Sequence, residues 1–454
     1  MSACESNDLS KWCVIGAGPS GLTALKNLLQ CGIQAECLER EDDLGGNWYF
    51  GSSTSRVFES TKLISSKSLT EFTDFPMPHE WPAYPDHRQC LEYLHQYSNH
   101  FCLREHILFQ NSVARITPIK RNHVRLGWQV DLEDGTTRNY AGLVFASGHN
   151  HEPRLPDITS GFSGPLIHSA EYKSPEVPHV LKNKRVLVIG GGNSGCDIAV
   201  ESSFHTAVTF HSTRRNYHVL PRLFMGRPSD LRGERLLKMR VPLGIRRLIS
   251  QRVIARTIGL PKKHGLPQPD HSLWETHPVI NENLYHRIDQ GTIHPMPDVE
   301  RFEGNRAVFT NGRHEHIDVV IAATGYRVTL PKIHAAELNT KNGIPELFMH
   351  LLHPEANDLA VVGMIQPDSG QWGITDLQSQ VIARMILANR IAPRAEAWLK
   401  KQRKQTLKNH SILKSVKLLT VLPKYLGFLS KTSPLRQKIS EKCFLQFLTM
   451  FVSS

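Results

Sequence analysis

A chain of 454 residues is too long for one hydrophobic core, so two or three domains are expected. Its 40% apolar and 21% charged residues suit a globular protein and exclude a disordered or fibrous one. The 54 Lys and Arg against 42 Asp and Glu leave a net charge of +12, which favours anionic partners: nucleic acid, a membrane surface or a phosphorylated cofactor.

Trp12 to Ile15 is the first apolar run and leads directly into Gly16-Ala17-Gly18-Pro19-Ser20-Gly21. Leu22, Leu25, Leu28 and Leu29 follow at helical spacing, Gly32 ends the helix, and Ala35 to Leu38 reads as a second strand. This βαβ unit carries the glycine pattern of a dinucleotide site. Gly16 permits the tight turn, Gly18 lets backbone approach a pyrophosphate, and Gly21 lets helix and strand pack closely. The helix start offers free N–H groups to phosphate, and Glu39, at the end of the second strand, can hold ribose hydroxyls.

Pro76, Pro78, Pro82 and Pro85 make residues 52 to 110 an irregular excursion, with a helix near Cys90 to His100. Asp134-Gly135 predicts a hairpin joining Trp128–Leu132 to Thr137–Val144. Arg185 to Ile189 then opens a second βαβ unit through Gly190-Gly191-Gly192-Asn193-Ser194-Gly195, with a helix over Cys196 to Ser203 and a strand over Ala207 to His211. Here the strand ends in Ser212-Thr213-Arg214-Arg215, with no acid in the ribose position. An Arg pair there suits a 2′-phosphate, which an acid would repel, and so points to NADPH. The Arg-rich residues 214 to 264 suggest one or two amphipathic helices. Asn311-Gly312 predicts another hairpin, and Ile317 to Ala322 and Leu359 to Met364 read as the last strands.

Two dinucleotide sites in one chain imply electron transfer from NADPH to a flavin. A disulfide reductase would need a redox Cys pair, but the eight Cys are scattered without a C-x-x-C. Cys196 stands alone and reads as a packing residue. Molecular oxygen is then the natural acceptor. The scattered Cys also favour a reducing compartment. The polar start, Met1 to Lys11, is not a signal peptide, and no run reaches roughly 18 apolar residues. An intracellular protein is expected, cytoplasmic or peripheral on a membrane surface. The 24 His show no metal-site spacing, and no nucleic-acid motif accompanies the basic patches.

Phe162-Ser163-Gly164-Pro165-Leu166-Ile167-His168-Ser169-Ala170-Glu171-Tyr172-Lys173 resembles the F-x-G-x-x-x-H-x-x-x-[YF]-K signature of flavin-containing monooxygenases. The related Baeyer–Villiger enzymes end that signature in Trp-Pro. Asp43-Leu44-Gly45-Gly46-Asn47-Trp48, Asp74-Phe75-Pro76-Met77-Pro78, Gly192-Asn193-Ser194-Gly195-Cys196-Asp197 and Ala323-Thr324-Gly325-Tyr326 match further, and Gly363, Gln366-Pro367 and Leu377-Gln378 resemble a late flavin-contacting segment. The resemblance runs from about residue 12 to 390 and implies FAD and NADPH as cofactors. It implies that a C4a-hydroperoxyflavin gives one oxygen atom to the sulfur or nitrogen of a small molecule. Its family Asn, three residues before Lys67, is replaced by Ile64, leaving Ser65 or Ser66 to take over or the peroxide less protected.

The expected fold is α/β with two dinucleotide-binding domains. The NADPH domain, 179–314, is inserted into a discontinuous FAD domain of 1–178 and 315–454. NADPH-dependent oxygenation at sulfur or nitrogen is the expected function. The alternatives are Baeyer–Villiger oxygenation, opposed by Tyr172-Lys173, and an oxidase that releases hydrogen peroxide. The basic residues from Lys400 to Lys417, followed by the apolar stretch Phe444 to Val452, raise a second possibility for the tail: contact with a membrane surface instead of packing on the FAD domain.

Overall fold

The computed structural model describes residues 9 to 391, apart from 276, 277, 331, 339, 342, 343, 348, 349, 366, 368 and 369. Gln366 and the basic tail therefore lie outside the described residues.

Two five-stranded parallel sheets organise the chain. In the first, strand Trp12–Ile15 lies between Ala35–Leu38 and Gly142–Phe145, with Ile107–Leu108 and Leu359–Val361 at the edges. In the second, Arg185–Ile189 lies between Val208–Ser212 and Val319–Ala322, with Ile293–Met296 and Leu166–His168 at the edges. Each glycine loop thus leaves a central strand, at the carboxyl edge where open parallel sheets bind ligands.

The second sheet draws strands from both sides of the expected insertion. Leu166–His168 and Val319–Ala322 lie outside 179–314, yet both belong to the second sheet. The central strand Arg185–Ile189 needs a neighbour on each side, and chain entering and leaving the insertion supplies one side. The expected strand 137–144 also divides. Thr137–Tyr140 pairs antiparallel with Val124–Leu132, whereas Gly142–Phe145 joins the first sheet. The Arg-rich stretch forms two helices, Ser229–Lys238 and Leu243–Thr257.

Local chemistry sets the elements around the first loop. Helix Pro19–Gln30 starts at Gly18, gains a preset turn from Pro19, and buries Leu22, Leu25 and Leu28. Full burial of each such side chain contributes about 1.5–3 kcal/mol. Helix His87–His100 begins with a capping box, in which Asp86 accepts from the Gln89 N–H and Gln89 accepts from the Asp86 N–H. Its Tyr93 and Tyr97 pack with Phe72, and Tyr93 stacks 5.7 Å from Trp372 at the start of the closing helix, Trp372–Ile391. Lys26 is buried and reaches both Asp74 at 2.7 Å and Asp376 at 2.9 Å, tying the first helix to the closing one.

Candidate active site and cofactor crevices

The three glycines of the first loop differ in geometry. Gly16 sits at φ +98°, where an L side chain is strained. A Cβ on Gly21 would stand 1.7 Å from the Gly16 carbonyl oxygen, so helix and loop pack only with glycine there. A Cβ on Gly18 would meet nothing closer than Gly46 Cα at 3.6 Å, and Gly18 faces a cleft. That cleft is lined by Gly16, Gly18, Pro19, Ser20, Glu39, Gly46, Asn47, Trp48 and Gly363, which the sequence had singled out. Arg40, Asn111, His149, His151, Gln371 and Trp372 join them. These come from loops and helix starts far apart in sequence, and no motif marked them.

Glu39 is buried, and each carboxylate oxygen accepts from backbone: Ala17 N–H at 2.6 Å and Glu41 N–H at 3.0 Å. Burial pushes its pKa up against the pull of those two N–H groups. Ala17 thus serves as a clamp on Glu39 rather than lining the cleft. Gly363 is held at φ +87° by Gln371, which donates to its carbonyl at 2.9 Å, and by Gln378, which accepts from its N–H at 3.2 Å. Among the described residues His149 Nδ1 is buried without a partner, and burial holds its pKa below the usual value.

The second loop repeats this geometry. Gly190 has φ +133°, a Cβ on Gly195 would lie 2.1 Å from the Gly190 carbonyl oxygen, and a Cβ on Gly192 would meet nothing within 4 Å. Buried His211 sits beneath this loop. The Gly190 carbonyl can only accept, so Nε2 donates to it at 2.8 Å, leaving Nδ1 to accept from Tyr217 Oη at 3.3 Å. Burial lowers the His211 pKa to about 4, so the ring is neutral.

Strand register aligns the two sites. Ile15 pairs with Leu38, and Ile189 with Ser212, so Thr213 stands where Glu39 stands in the first site. A neutral residue there leaves room for a 2′-phosphate. The two arginines differ. Arg215 is committed to Asp270 through bonds of 2.8 and 2.9 Å, while Arg214 is exposed with no carboxylate within 4 Å among the described residues. Asn193 is also spent: its side chain accepts from Ile280 N–H at 2.9 Å and donates to the Pro278 carbonyl at 3.3 Å. Gly192 and Ser194 remain exposed. Gly325, at φ +78°, follows the strand Val319–Ala322 on the same edge.

Ile64 and Ser65 line a different cavity of about 70 Å³, closed by the two Arg-rich helices through Leu236, Val253 and Ile254. Thr70 Oγ1 donates to the Ser66 carbonyl, so the Ser65 hydroxyl, 2.8 Å away, gives its proton to Thr70. Ser66 N–H donates to Asp230 at 2.6 Å. Lys67 donates to the carbonyls of Pro78, His79 and Trp81, fixing the proline-rich excursion.

Two glycine loops at the carboxyl edges of two parallel sheets define a protein with two dinucleotide-type crevices. The open space at Gly18 and Gly192, which a Cβ would fill, fits such cofactors. Residues 10–450 match the flavin-binding monooxygenase-like family, and the chain belongs to that family. It is 32% identical over 400 residues to flavin-containing monooxygenase 1 of Homo sapiens, covering 84% of this chain and 74% of that protein. It is 33% identical to flavin-containing monooxygenase 5 of Rattus norvegicus, over 81% of this chain and 71% of the relative. Among solved structures, S-allyl-L-cysteine S-oxygenase of Allium sativum shares the fold with a TM-score of 0.64 at 18% identity, covering 95% of this chain and 91% of that one. OTEMO in complex with FAD and NADP shares it with a TM-score of 0.65 at 17% identity, covering 88% and 90%. The protein is a flavin-dependent monooxygenase with FAD and NADPH as cofactors. Among the described residues no helix is long and apolar enough to cross a membrane.

Proposed function

We propose that this enzyme oxygenates the sulfur or nitrogen of small apolar molecules, with FAD in the first crevice, NADPH in the second and the substrate in the cavity at Ile64. Bound FAD would supply the redox chemistry, accepting hydride from NADPH and activating O₂. The protein's own residues bind, orient and exclude water. Gly18 and the helix start behind it would receive the FAD pyrophosphate, with Glu39 toward the ribose and Gly46, Asn47, Trp48 and Gly363 along the cleft. Gly192, Ser194 and Arg214 would receive NADPH.

The observation that carries the substrate reading is the lining of the cavity. Ile64, Leu236, Val253, Ile254 and Trp274 surround it, and Asp230 is its one acid. Such a lining favours an apolar soft nucleophile and shields the reaction from water. Tyr172 and Lys173 give no support to ketone oxygenation, since Tyr172 donates to Glu201 at 2.9 Å and Lys173 is bound to carbonyls. One observation favours partial release of hydrogen peroxide: Ile64 has no donor, and the Ser65 proton is turned to Thr70.

The test is product analysis of the FAD-loaded enzyme with NADPH and an aryl methyl thioether, N,N-dimethylaniline or cyclohexanone. Sulfoxide or N-oxide without lactone is expected, with peroxide accounting for part of the NADPH and less of it in Ile64→Asn. Lactone as the main product, or peroxide as the sole product in both proteins, would overturn the proposal.

A further inference from the structure

Two cations, Arg56 and Lys173, stand side by side, and among the described residues neither forms an ion pair. Arg56 lies in the loop after the Gly46–Trp48 turn. Its Nε donates to the Asn150 carbonyl at 3.0 Å and one terminal nitrogen faces the His151 carbonyl at 3.5 Å. Asn150 and His151 line the first cleft. Burial raises the pKa of Tyr326 and lowers that of His168, and the charge of Arg56 acts to lower it in both residues. These belong to the carboxyl edge of the second sheet, where His168 Nε2 donates to the Gly325 carbonyl at 3.1 Å. Ala170 N–H donates to His168 Nδ1 at 3.1 Å, so the ring is the neutral Nε2–H tautomer and adds no charge.

Lys173 is the second cation. Its ammonium donates to the carbonyls of Ser55 at 2.7 Å and Val57 at 3.4 Å, the residues on either side of Arg56, and to that of Ala170 at 3.4 Å. Its pKa is lowered by burial and by Arg56. All three of its protons are used, so it holds the Arg56 segment and adds positive potential without offering a contact. Among the described residues neither cation has a carboxylate within 4 Å, in contrast to Lys26 and Arg125, which are paired with carboxylates. Like charges held together raise the free energy of the empty site, and an anion arriving there is bound by charge-assisted hydrogen bonds. Among the described residues one terminal nitrogen of Arg56 has no partner.

We propose that Arg56, positioned by Lys173, binds the nicotinamide-side phosphate of NADPH where the coenzyme crosses from the second crevice toward the first. This rests on the proposed reading of the 2′-phosphate at Arg214, which follows strand Val208–Ser212 on the opposite side of Arg185–Ile189 from Val319–Ala322. The two contacts are therefore separable by choice of ligand.

The experiment titrates FAD-loaded enzyme with NADP⁺ and with adenosine 2′,5′-bisphosphate, which carries the 2′-phosphate but lacks the nicotinamide-side one. Arg56→Gln keeps a donor for the Asn150 carbonyl and removes the charge. It should weaken NADP⁺ by about 10- to 100-fold, reduce the salt dependence of binding, and leave the bisphosphate within about twofold. Arg56→Lys should fall between wild type and Arg56→Gln. Lys173→Met should show the same selectivity for NADP⁺, and adding it to Arg56→Gln should weaken NADP⁺ little further, because both act through one contact. Flavin content and melting temperature serve as controls for folding. Unchanged NADP⁺ affinity, equal weakening of both ligands, or loss of FAD with NADP⁺ binding intact would each overturn the proposal.

Discussion

Gly192 and Gly195 stand three residues apart in one loop, yet alanine at each should fail in a different assay. At Gly192 the backbone has φ −80° and ψ 174°, open to any residue, and the added methyl meets no protein atom within 4 Å. Stability without coenzyme should change by no more than about 1 kcal/mol, the usual range for a helix cap. The methyl instead occupies coenzyme space, so the dissociation constant for NADP⁺ should rise at least about tenfold, or about 1.4 kcal/mol. At Gly195 the methyl would lie 2.1 Å from the Gly190 carbonyl oxygen. Alanine gains about 1 kcal/mol of helix propensity over glycine, against an overpacking cost of about 1–3 kcal/mol or more. A contact so far inside van der Waals distance belongs at or above the upper end, for a net loss of about 2 kcal/mol. For a domain of 150–250 residues that is a fall of about 4–8 °C in Tm. Thermal melts without coenzyme, followed by tryptophan fluorescence and paired with NADP⁺ titration, separate the two. A Gly192→Ala protein that melts several degrees low, or binds NADP⁺ normally, would refute the assignment.

Arg214→Ala should raise KM for NADPH by about 10- to 100-fold with little effect on NADH, the loss of one charge-assisted phosphate contact. Arg215→Ala should do much less, because its guanidinium is already paired with Asp270; equal effects in steady-state kinetics would contradict this. Lys26→Met leaves Asp74 and Asp376 facing each other in the core and should cost about 3–5 kcal/mol in urea unfolding, with Asp376→Asn in the same chain recovering part of it. His211 gives a pH dependence. An unfolded imidazole takes up a proton near pH 6.5, whereas the buried ring refuses it until about 4, so its contribution is present above 6.5 and is lost as pH falls through that window. Between pH 7.5 and 5 the wild type should lose about 2 kcal/mol more stability than His211→Gln, and parallel profiles would contradict this.

Much of the site was legible because its logic is local. A glycine at a positive φ, a glycine under a helix and a glycine facing the cleft all lie within six residues, and the strand before and the acid after are close in sequence. Both glycine loops, Glu39 and the Gly46–Trp48 turn could be read in this way. What escaped depends on chain ends meeting in space. The second sheet recruits Leu166–His168 and Val319–Ala322 from either side of the expected insertion, since only register shows which strands border Arg185–Ile189. Arg214 and Arg215 look alike until Asp270, 55 residues on, takes one of them. Arg56 carries no motif, and its acceptors are 94 and 95 residues away. Ser65, a candidate to replace the missing Asn at position 64, has its hydroxyl engaged with Thr70, which sequence alone does not show.

The central claim, transfer of one oxygen atom from O₂ to a soft nucleophile at the expense of NADPH, is tested most directly by turnover under ¹⁸O₂. The FAD-loaded enzyme is supplied with NADPH and an aryl methyl thioether, and the sulfoxide is weighed by mass spectrometry while NADPH and peroxide are counted. The account predicts sulfoxide carrying a single ¹⁸O atom, with sulfoxide and peroxide together matching the NADPH consumed. Sulfoxide without ¹⁸O, or NADPH consumption balanced wholly by peroxide, would contradict it.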